Sequence, residues 1–293
     1  MRKFLIKISM MMILPLALMG CTSNKKEEMD TDKLKITVSI SPLKEFTEAI
    51  GGDKVEVTTL VPENTEPHDF DFKPKDLEKI IKEKLFIYNG LGMEEWLSNL
   101  EGQLSNSSVK LIDSSNGADI LKDGEKIDPH LWLSLKQAQV QGNNIKNALV
   151  EVDPENKDYY EENYNKFKSE LDNLYNEYEG KFNDVKTKYF VTSHAAFGYL
   201  CREFGLTQKS IRDIFGEGEE RPQDKANLIQ FCKDNNITTI FSESSDSQKS
   251  AESLASEING KVEGIYTLET KPEGKTYLEA MKYNLDTIYN SMK

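Results

Sequence analysis

Apolar and polar residues alternate along several short stretches of the chain, and between these stretches the apolar residues recur at helical spacing. Residues 34–41 alternate, residues 42–50 form a short amphipathic stretch that ends in two glycines, and residues 55–60 alternate again. Alternation predicts a strand and spacing of three and four predicts a helix, so this order indicates a βαβ unit. Similar signals predict strands at residues 85–88, 109–112, 189–192, 238–241 and 262–266. We therefore expect an α/β fold with mostly parallel sheets flanked by helices.

A long apolar series separates the two groups of strands. It follows an Asp-Pro pair, which favours a helix start, and steps by three and four residues from Tyr160 to Val185. A coiled-coil dimer is the alternative, but the series is aromatic rather than aliphatic, so we expect one long rigid helix. The predicted divisions of the body are an N-terminal lobe of residues 34–152, a connecting helix of residues 153–186 and a C-terminal lobe of residues 187–293.

The N-terminus has the features of a targeting segment followed by a tether. A basic start, an apolar run and the ending Leu18-Met-Gly-Cys21 resemble a bacterial lipoprotein signal. We expect residues 1–20 to be removed and Cys21 to be lipidated, which would anchor the protein on the extracytoplasmic face of the cell membrane. An uncleaved anchor is less favoured, because the apolar run is shorter than a membrane span. Residues 21–33 are mostly polar and predict a flexible tether.

The charge argues against nucleic acid as a partner. The 293 residues carry a formal charge of −13, and removal of residues 1–20, which hold three basic and no acidic residues, takes it to −16. Polyphosphate requires clustered Lys and Arg, whereas an acidic surface suits the attraction of cations. Cys201 and Cys232 both lie in helical patterns, and we expect two buried thiols, with a disulfide between them as the open alternative.

The chain has three histidines, and each lies at a junction between predicted elements. His68 follows the second strand, His130 lies just before a helix, and His194 lies where a strand ends and a helix is expected to begin. Ligands of open α/β sheets gather outside the carboxyl ends of the strands, so three imidazoles at such junctions predict a metal site. A helix N-terminus at His194 would also keep that ring neutral, as a metal ligand must be.

A tetrahedral zinc site with three nitrogens has a fourth position that Asp or Glu can fill. Glu269, just past the last predicted strand, is the first candidate, and Glu243, after the preceding strand, is the second. Sequence spacing alone does not choose between them.

Four stretches carry a family resemblance. They are Glu66-Pro-His-Asp-Phe-Asp-Phe-Lys-Pro-Lys-Asp-Leu77, Asn89-Gly-Leu-Gly-Met-Glu-Glu-Trp-Leu97, Asp128-Pro-His-Leu-Trp-Leu-Ser134 and Thr192-Ser-His-Ala-Ala-Phe-Gly-Tyr199. Through them, the chain from about residue 35 to its end resembles the zinc/manganese class of ABC-transporter solute-binding lipoproteins. The resemblance implies two α/β lobes joined by a long helix, a metal ion bound in the cleft between them, delivery to a membrane permease, and a monomer. The metal ligands that it implies are His68, His130, His194 and Glu269.

The implied ligand set favours zinc as the transported ion. Manganese-binding relatives generally have a carboxylate in place of His194, and oxygen ligands suit that harder ion, whereas a third imidazole suits zinc. We therefore expect an extracytoplasmic Zn(II)-binding component of an ABC importer, with a manganese- or iron-binding member of the family as the alternative.

Two other functions are alternatives to transport. A hydrolytic zinc enzyme is not favoured, because the helical His-Glu-x-x-His pattern does not occur and four protein ligands leave no position for water. A surface adhesin is a role of some members of the family, but the residues themselves do not indicate it.

Overall fold

Two four-stranded parallel sheets form the framework of the protein. The structure, a computed structural model, describes residues 33–217, 221–243 and 245–293, and of residues 245–247 it describes only the backbone. The elements of the first half are β1 (Leu34–Val38), α1 (Ser41–Gly51), β2 (Val55–Thr59), α2 (Pro74–Ile80), β3 (Leu85–Tyr88), α3 (Leu97–Leu104), β4 (Lys110–Asp113), β5 (Lys122–Asp123), β6 (Lys126–Ile127) and α4 (Leu135–Val152). After α5 (Lys157–Glu179) come β7 (Tyr189–Thr192), α6 (Gly198–Phe204), β8 (Thr207–Ser210), α7 (Pro222–Asp234), β9 (Thr239–Ser242), α8 (Ser245–Glu257), β10 (Lys261–Gly264) and α9 (Tyr277–Ser291).

The N-terminal sheet has the strand order β2-β1-β3-β4, and all its pairings are parallel. Leu85, Phe86 and Ile87 of the central strand β3 are fully buried, as expected for a parallel strand that is covered on both faces. Because the strands run in one direction, their carboxyl ends meet at one edge of the sheet, and the loops that leave this edge lie close together.

The C-terminal sheet has the order β10-β9-β7-β8 and is also parallel, which confirms the predicted α/β fold with two lobes. The edge strand β8 and the small hairpin of β5 and β6 were not predicted from the sequence. β8 reads Thr-Gln-Lys-Ser and has no apolar residue, and each hairpin strand has two residues. These strands are held by backbone pairing, so they leave little trace in the hydrophobic pattern.

The long helix between the lobes is confirmed, but it is shorter than expected. α5 has 23 residues, a 3-10 turn at Pro154–Asn156 precedes it, and after Gly180 a second 3-10 turn covers Lys181–Asp184. Its buried stripe faces the protein's own core: the ring of Phe167 lies 5.1 Å from that of Phe46 in α1. The aromatic stripe is therefore intramolecular packing and not the seam of a coiled coil.

The two lobes share one apolar core. A continuous cluster of buried side chains includes Ile36 in the N-terminal sheet and Phe241 in the C-terminal sheet. Where the lobes meet, the indole Nε1 of Trp132 donates to the carbonyl oxygen of Thr267 at 2.7 Å, and the hydroxyl of Tyr277 donates to the carbonyl oxygen of Trp132. Opening the lobes widely would expose this core, so the arrangement favours small movements of loops over hinge bending.

Three expectations about other parts of the chain have different outcomes. Cys201 and Cys232 are both buried and free, as expected. The predicted signal peptide, Cys21 and residues 22–32 of the tether lie outside the described residues. Among the described helices, none combines the length and the apolar character needed to cross a membrane.

Replacing Leu171 of α5 by alanine is expected to lower the free energy of unfolding by about 2–5 kcal/mol, because the cavity left by a buried leucine is only partly refilled. Leu171 has no exposed surface. Glu170→Ala, on the exposed face of the same helix, is the control and should change the free energy by less than about 0.5 kcal/mol. Urea denaturation followed by circular dichroism measures both variants. Equal effects would contradict the packing of α5 against the core.

Candidate metal centre

Four loops from both lobes bring the predicted site residues together. His68 lies in a 3-10 turn after β2, and His130 lies just before α4, whose N-cap Ser134 accepts a hydrogen bond from the backbone N–H of Gln137. His194 follows β7, and the loop after β10 carries the fourth side chain. His68, His194 and Glu269 thus follow the carboxyl ends of strands in the two parallel sheets, as expected for an α/β site, whereas His130 follows the hairpin of β5 and β6.

Glu269 occupies the centre of the group. Its Oε1 lies 3.1 Å from Nε2 of His68 and 3.0 Å from Nε2 of His130, and its Oε2 lies 3.7 Å from Nδ1 of His194. One ligand atom from each of the four residues can be chosen so that all lie within 4.8 Å of one another. Ligands of tetrahedral zinc at bond lengths of about 2.0–2.1 Å are separated by about 3.3 Å, so a small inward adjustment of the side chains would suit such an ion.

Burial isolates the four side chains from bulk water. The exposed fraction of the side chain is 1% for Glu269, 0% for His130, and about 10% for His68 and for His194. Nε2 of His68 is buried and faces the Glu269 carboxylate, but the geometry is not that of a hydrogen bond. This nitrogen is therefore directed at the centre of the cluster without a hydrogen-bond partner. Buried polar atoms rarely lack a hydrogen-bond partner, and a metal ion at the centre would give Nε2 of His68 a partner.

In His130 and His194, the ring nitrogen that faces away from the centre is also hydrogen-bonded. Nδ1 of His130 is hydrogen-bonded to Oδ1 of Asp128 at 2.8 Å, and Nε2 of His194 is hydrogen-bonded to the carbonyl oxygen of Ile214 at 3.1 Å. His130 therefore presents Nε2 to the centre, whereas His194 presents Nδ1. The ring of His68 packs edge-on against Phe215 at 5.3 Å between centroids.

The pKa values show how the pocket tolerates a buried carboxylate. Burial alone would raise the pKa of Glu269, but the neighbouring imidazoles His194, His130 and His68 hold it well below its usual range. Burial lowers the pKa of His130, but hydrogen bonds to Asp128 and Glu269 outweigh burial and raise it to about 10. Without a metal ion, the carboxylate is thus ionised and His130 carries the compensating proton.

The expected helix start at His194 is wrong. α6 begins at Gly198, because residues 193–194 form a bend and residues 196–197 form a turn, and His194 is not at a helix N-terminus. Its pKa is lowered nevertheless, and the largest cause is burial rather than a helix dipole. Burial thus favours the neutral ring, in the direction expected from the sequence but for a different physical reason.

The structure separates the two carboxylates that the sequence left as alternatives. Glu243 accepts hydrogen bonds from the Ser193 hydroxyl and, at 3.0 Å, from the backbone N–H of His194. Burial raises its pKa. Its carboxylate therefore supports the His194 loop and is not part of the four-residue cluster, which contains Glu269.

A cavity of about 520 Å³ adjoins the cluster, and several acidic side chains line it. One of them is Glu66, whose pKa is raised to about 8, first by burial and then by the nearby charge of Glu269. Neither Glu66 nor Asp128 was identified as functional from the sequence. Asp128 has a local signal, since its Oδ1 also accepts from the backbone N–H of His130 two residues on, the pattern of an Asx turn.

Polar contacts join loops of the two lobes near the site. Lys126 in the hairpin of the N-terminal lobe pairs with Asp213 of the C-terminal lobe at 2.6 Å, close to Ile214. The backbone N–H of Lys271 donates to the carbonyl oxygen of Glu63 at 2.9 Å. The loops over the centre are therefore tied across the cleft by a few polar contacts, in contrast to the apolar core below.

The similarity to known proteins covers both lobes. A family model described as zinc-uptake complex component A, periplasmic, matches residues 36–291. The high-affinity zinc uptake system protein ZnuA of Bacillus subtilis (strain 168) is 34% identical over 281 residues, which cover 89% of this chain and 88% of that protein. The manganese ABC transporter substrate-binding lipoprotein PsaA of Streptococcus anginosus is 30% identical over 289 residues, which cover 93% of this chain and 94% of that protein.

Among solved structures, the laminin-binding protein Lmb of Streptococcus agalactiae, described as bifunctional with adhesin and metal transporting activity, has a TM-score of 0.84 to this chain. The two are 32% identical, and the match covers 89% of this chain and 100% of that one. The shared fold thus extends over the whole of that protein.

Binding of Zn²⁺ to the metal-free protein at pH 7.5 is expected to release about one proton per ion. The pKa of about 10 means that His130 is protonated on both ring nitrogens at this pH, and an ion on Nε2 must displace that proton. Because the metal-free form binds the extra proton, zinc affinity should rise with pH towards 10, by about tenfold per unit. Isothermal titration calorimetry in buffers of different ionisation enthalpy measures the number of protons. A value of zero would contradict this protonation state.

Proposed function

The chain belongs to the zinc-uptake complex component A family, and from that premise we propose that it captures Zn²⁺ outside the cytoplasm and delivers it to the permease of an ABC importer. The relatives described above are metal-binding substrate-binding proteins of zinc and manganese transport. The observation that carries the proposal is the buried cluster of three imidazoles around one carboxylate. In this proposal His68, His130, His194 and Glu269 are the ligands of the transported ion.

The choice of zinc rests on the donor atoms. Three nitrogens and one carboxylate match the tetrahedral preference of zinc, which also forms more stable complexes than manganese with such ligands. Manganese favours octahedral coordination by six ligand atoms that are mostly oxygen, whereas the cluster supplies a single carboxylate. Manganese is the alternative cargo, because a relative is named a manganese ABC transporter substrate-binding lipoprotein.

Capture and release suit the geometry better than catalysis. A catalytic zinc ion keeps a position for water, whereas four protein ligands fill a tetrahedral shell. The relatives are named as transport proteins. Release would proceed through the loops that are tied across the cleft by Lys126 and Asp213, while the shared core stays closed.

The same proposal places the protein on the outer face of the cell membrane. The signal of residues 1–20, lipidated Cys21 and the tether of residues 21–33 would anchor a monomeric body of two lobes, residues 34–152 and 187–293, joined by residues 153–186. The name of the manganese-binding relative as a lipoprotein supports this anchoring.

The purified wild-type domain is expected to contain one zinc ion per chain, also when zinc and manganese are supplied in equal amounts. His194→Ala and Glu269→Gln should both lose the ion to a chelator that leaves the wild type loaded, because each removes one of four donor atoms. The loss should exceed the roughly 10–100-fold typical of a residue that only supports a ligand. Native mass spectrometry with elemental analysis measures metal identity and content.

Glu243→Gln is the matched control, since it makes the same change at another carboxyl group that lines the cavity. It should remain loaded under the chelator that strips Glu269→Gln. If Glu243→Gln lost the ion and Glu269→Gln kept it, Glu243 would be the ligand. Equal metal content in all variants would contradict the proposed site.

A second candidate function is adhesion, which the similarity to the laminin-binding protein favours. If the chain is also an adhesin, it should bind immobilised laminin in surface plasmon resonance, and His68→Ala combined with His194→Ala should leave this binding unchanged while abolishing zinc binding. No binding to laminin by the zinc-loaded wild type would reject the adhesin function and leave transport untouched.

A further inference from the structure

We propose that Asp128 is a positioning residue for metal capture, which holds the ring of His130 with Nδ1 protonated so that Nε2 is the atom offered to the ion. The inference rests on the proposed function and deepens it, because it assigns a role in capture to a residue that is not itself a ligand. Asp128 lies on the side of the His130 ring opposite to Glu269.

The carboxylate of Asp128 is anchored for this task. Its Oδ1 accepts from Nδ1 of His130 at 2.8 Å and from the backbone N–H of His130 at 2.9 Å, and its side chain is only 5% exposed. The backbone of Asp128 is fixed too: its N–H donates to the carbonyl oxygen of Leu121 at 3.0 Å, and its carbonyl oxygen accepts from the hydroxyl of Tyr199 at 2.7 Å. Its position thus depends on elements from both lobes.

A carboxylate behind an imidazole has two consequences for a metal on the other side. It selects the tautomer with Nδ1 protonated, because only that form donates to an acceptor at this position. It also increases the basicity of Nε2 and fixes the plane of the ring. His194, in contrast, donates from Nε2 to the neutral carbonyl oxygen of Ile214, so the outer partner decides which nitrogen each ring offers.

Space for the carboxylate depends on a glycine in the C-terminal lobe. A Cβ atom at Gly198, the first residue of α6, would lie 2.7 Å from Oδ2 of Asp128. Gly198 does not have a positive φ, so an alanine there is compatible with the backbone and would act mainly by displacing the carboxylate. Gly198→Ala therefore perturbs Asp128 without changing any ligand.

The first test is Asp128→Asn. The side-chain oxygen of asparagine can still accept from the backbone N–H of His130 and preserve the turn, but the carboxylate is lost. Zinc affinity, measured by competition with a chelator, should fall by about 10–100-fold, while circular dichroism should show that the metal-free protein keeps its fold. A residue that serves only the turn would leave the affinity unchanged.

A spectroscopic signature separates positioning from a general structural effect. The chain has only three histidines, so their ring nitrogens can be assigned by ¹H–¹⁵N spectra of the zinc-loaded protein. The wild type should show a downfield Nδ1 proton of His130 that exchanges slowly with water. In Asp128→Asn this proton should move upfield and exchange faster.

Gly198→Ala provides an independent variant, with Gly102→Ala in α3 as the matched control. Apart from the neighbouring residues and backbone of α3 itself, no atom of the described residues lies within 4 Å of a Cβ at Gly102. Gly198→Ala should weaken zinc binding several-fold and shift the His130 proton, and the control should do neither. If Asp128→Asn fails to fold, the results for Gly198→Ala alone test the positioning role of Asp128. Wild-type affinity and an unshifted proton in the folded variants would overturn the role of Asp128, whereas failure of the wild type to bind zinc would overturn the proposed function itself.

Discussion

The structure depends on one electrostatic constraint, the burial of the Glu269 carboxylate among three imidazole rings. A buried charge is costly unless a charge of opposite sign lies against it. In the metal-free protein the proton on His130 supplies that charge, because Asp128 and Glu269 hold the pKa of the ring at about 10. In the proposed function a zinc ion takes over the same task, so capture exchanges the proton on His130 for a divalent ion and adds one positive charge to a site that holds the carboxylates of Asp128 and Glu269.

The fold supplies the framework for this exchange. Parallel strands in both lobes end at the cleft, and the loops that follow them carry His68, His194 and Glu269, while His130 follows the antiparallel hairpin of β5 and β6. Beneath the site, Trp132 connects the loop of His130 to the carbonyl of Thr267 close to Glu269, within a core that both lobes share. The relative positions of the ligands are therefore fixed from below, while the loops above are joined by a few polar contacts that can be broken at small cost.

Much of the site could be predicted because histidine is rare in this chain and each ring follows a recognisable junction. The choice between Glu269 and Glu243 could not be predicted, because the two residues follow neighbouring parallel strands and lie at the same edge of the sheet. Only the direction of each side chain separates them. The edge strand β8 and the start of α6 escaped prediction because backbone hydrogen bonds and turn geometry determine them, and neither leaves an apolar pattern. Asp128 was overlooked because its role depends on the orientation of a ring.

The most direct test of the account is the position of the bound ion, determined by anomalous diffraction at the zinc absorption edge on crystals of the zinc-loaded protein. The account predicts a single zinc ion at about 2.0–2.2 Å from Nε2 of His68, Nε2 of His130, Nδ1 of His194 and a carboxylate oxygen of Glu269. An ion bound elsewhere, or one at this centre that leaves Glu269 or any of the three rings uncoordinated, would contradict it.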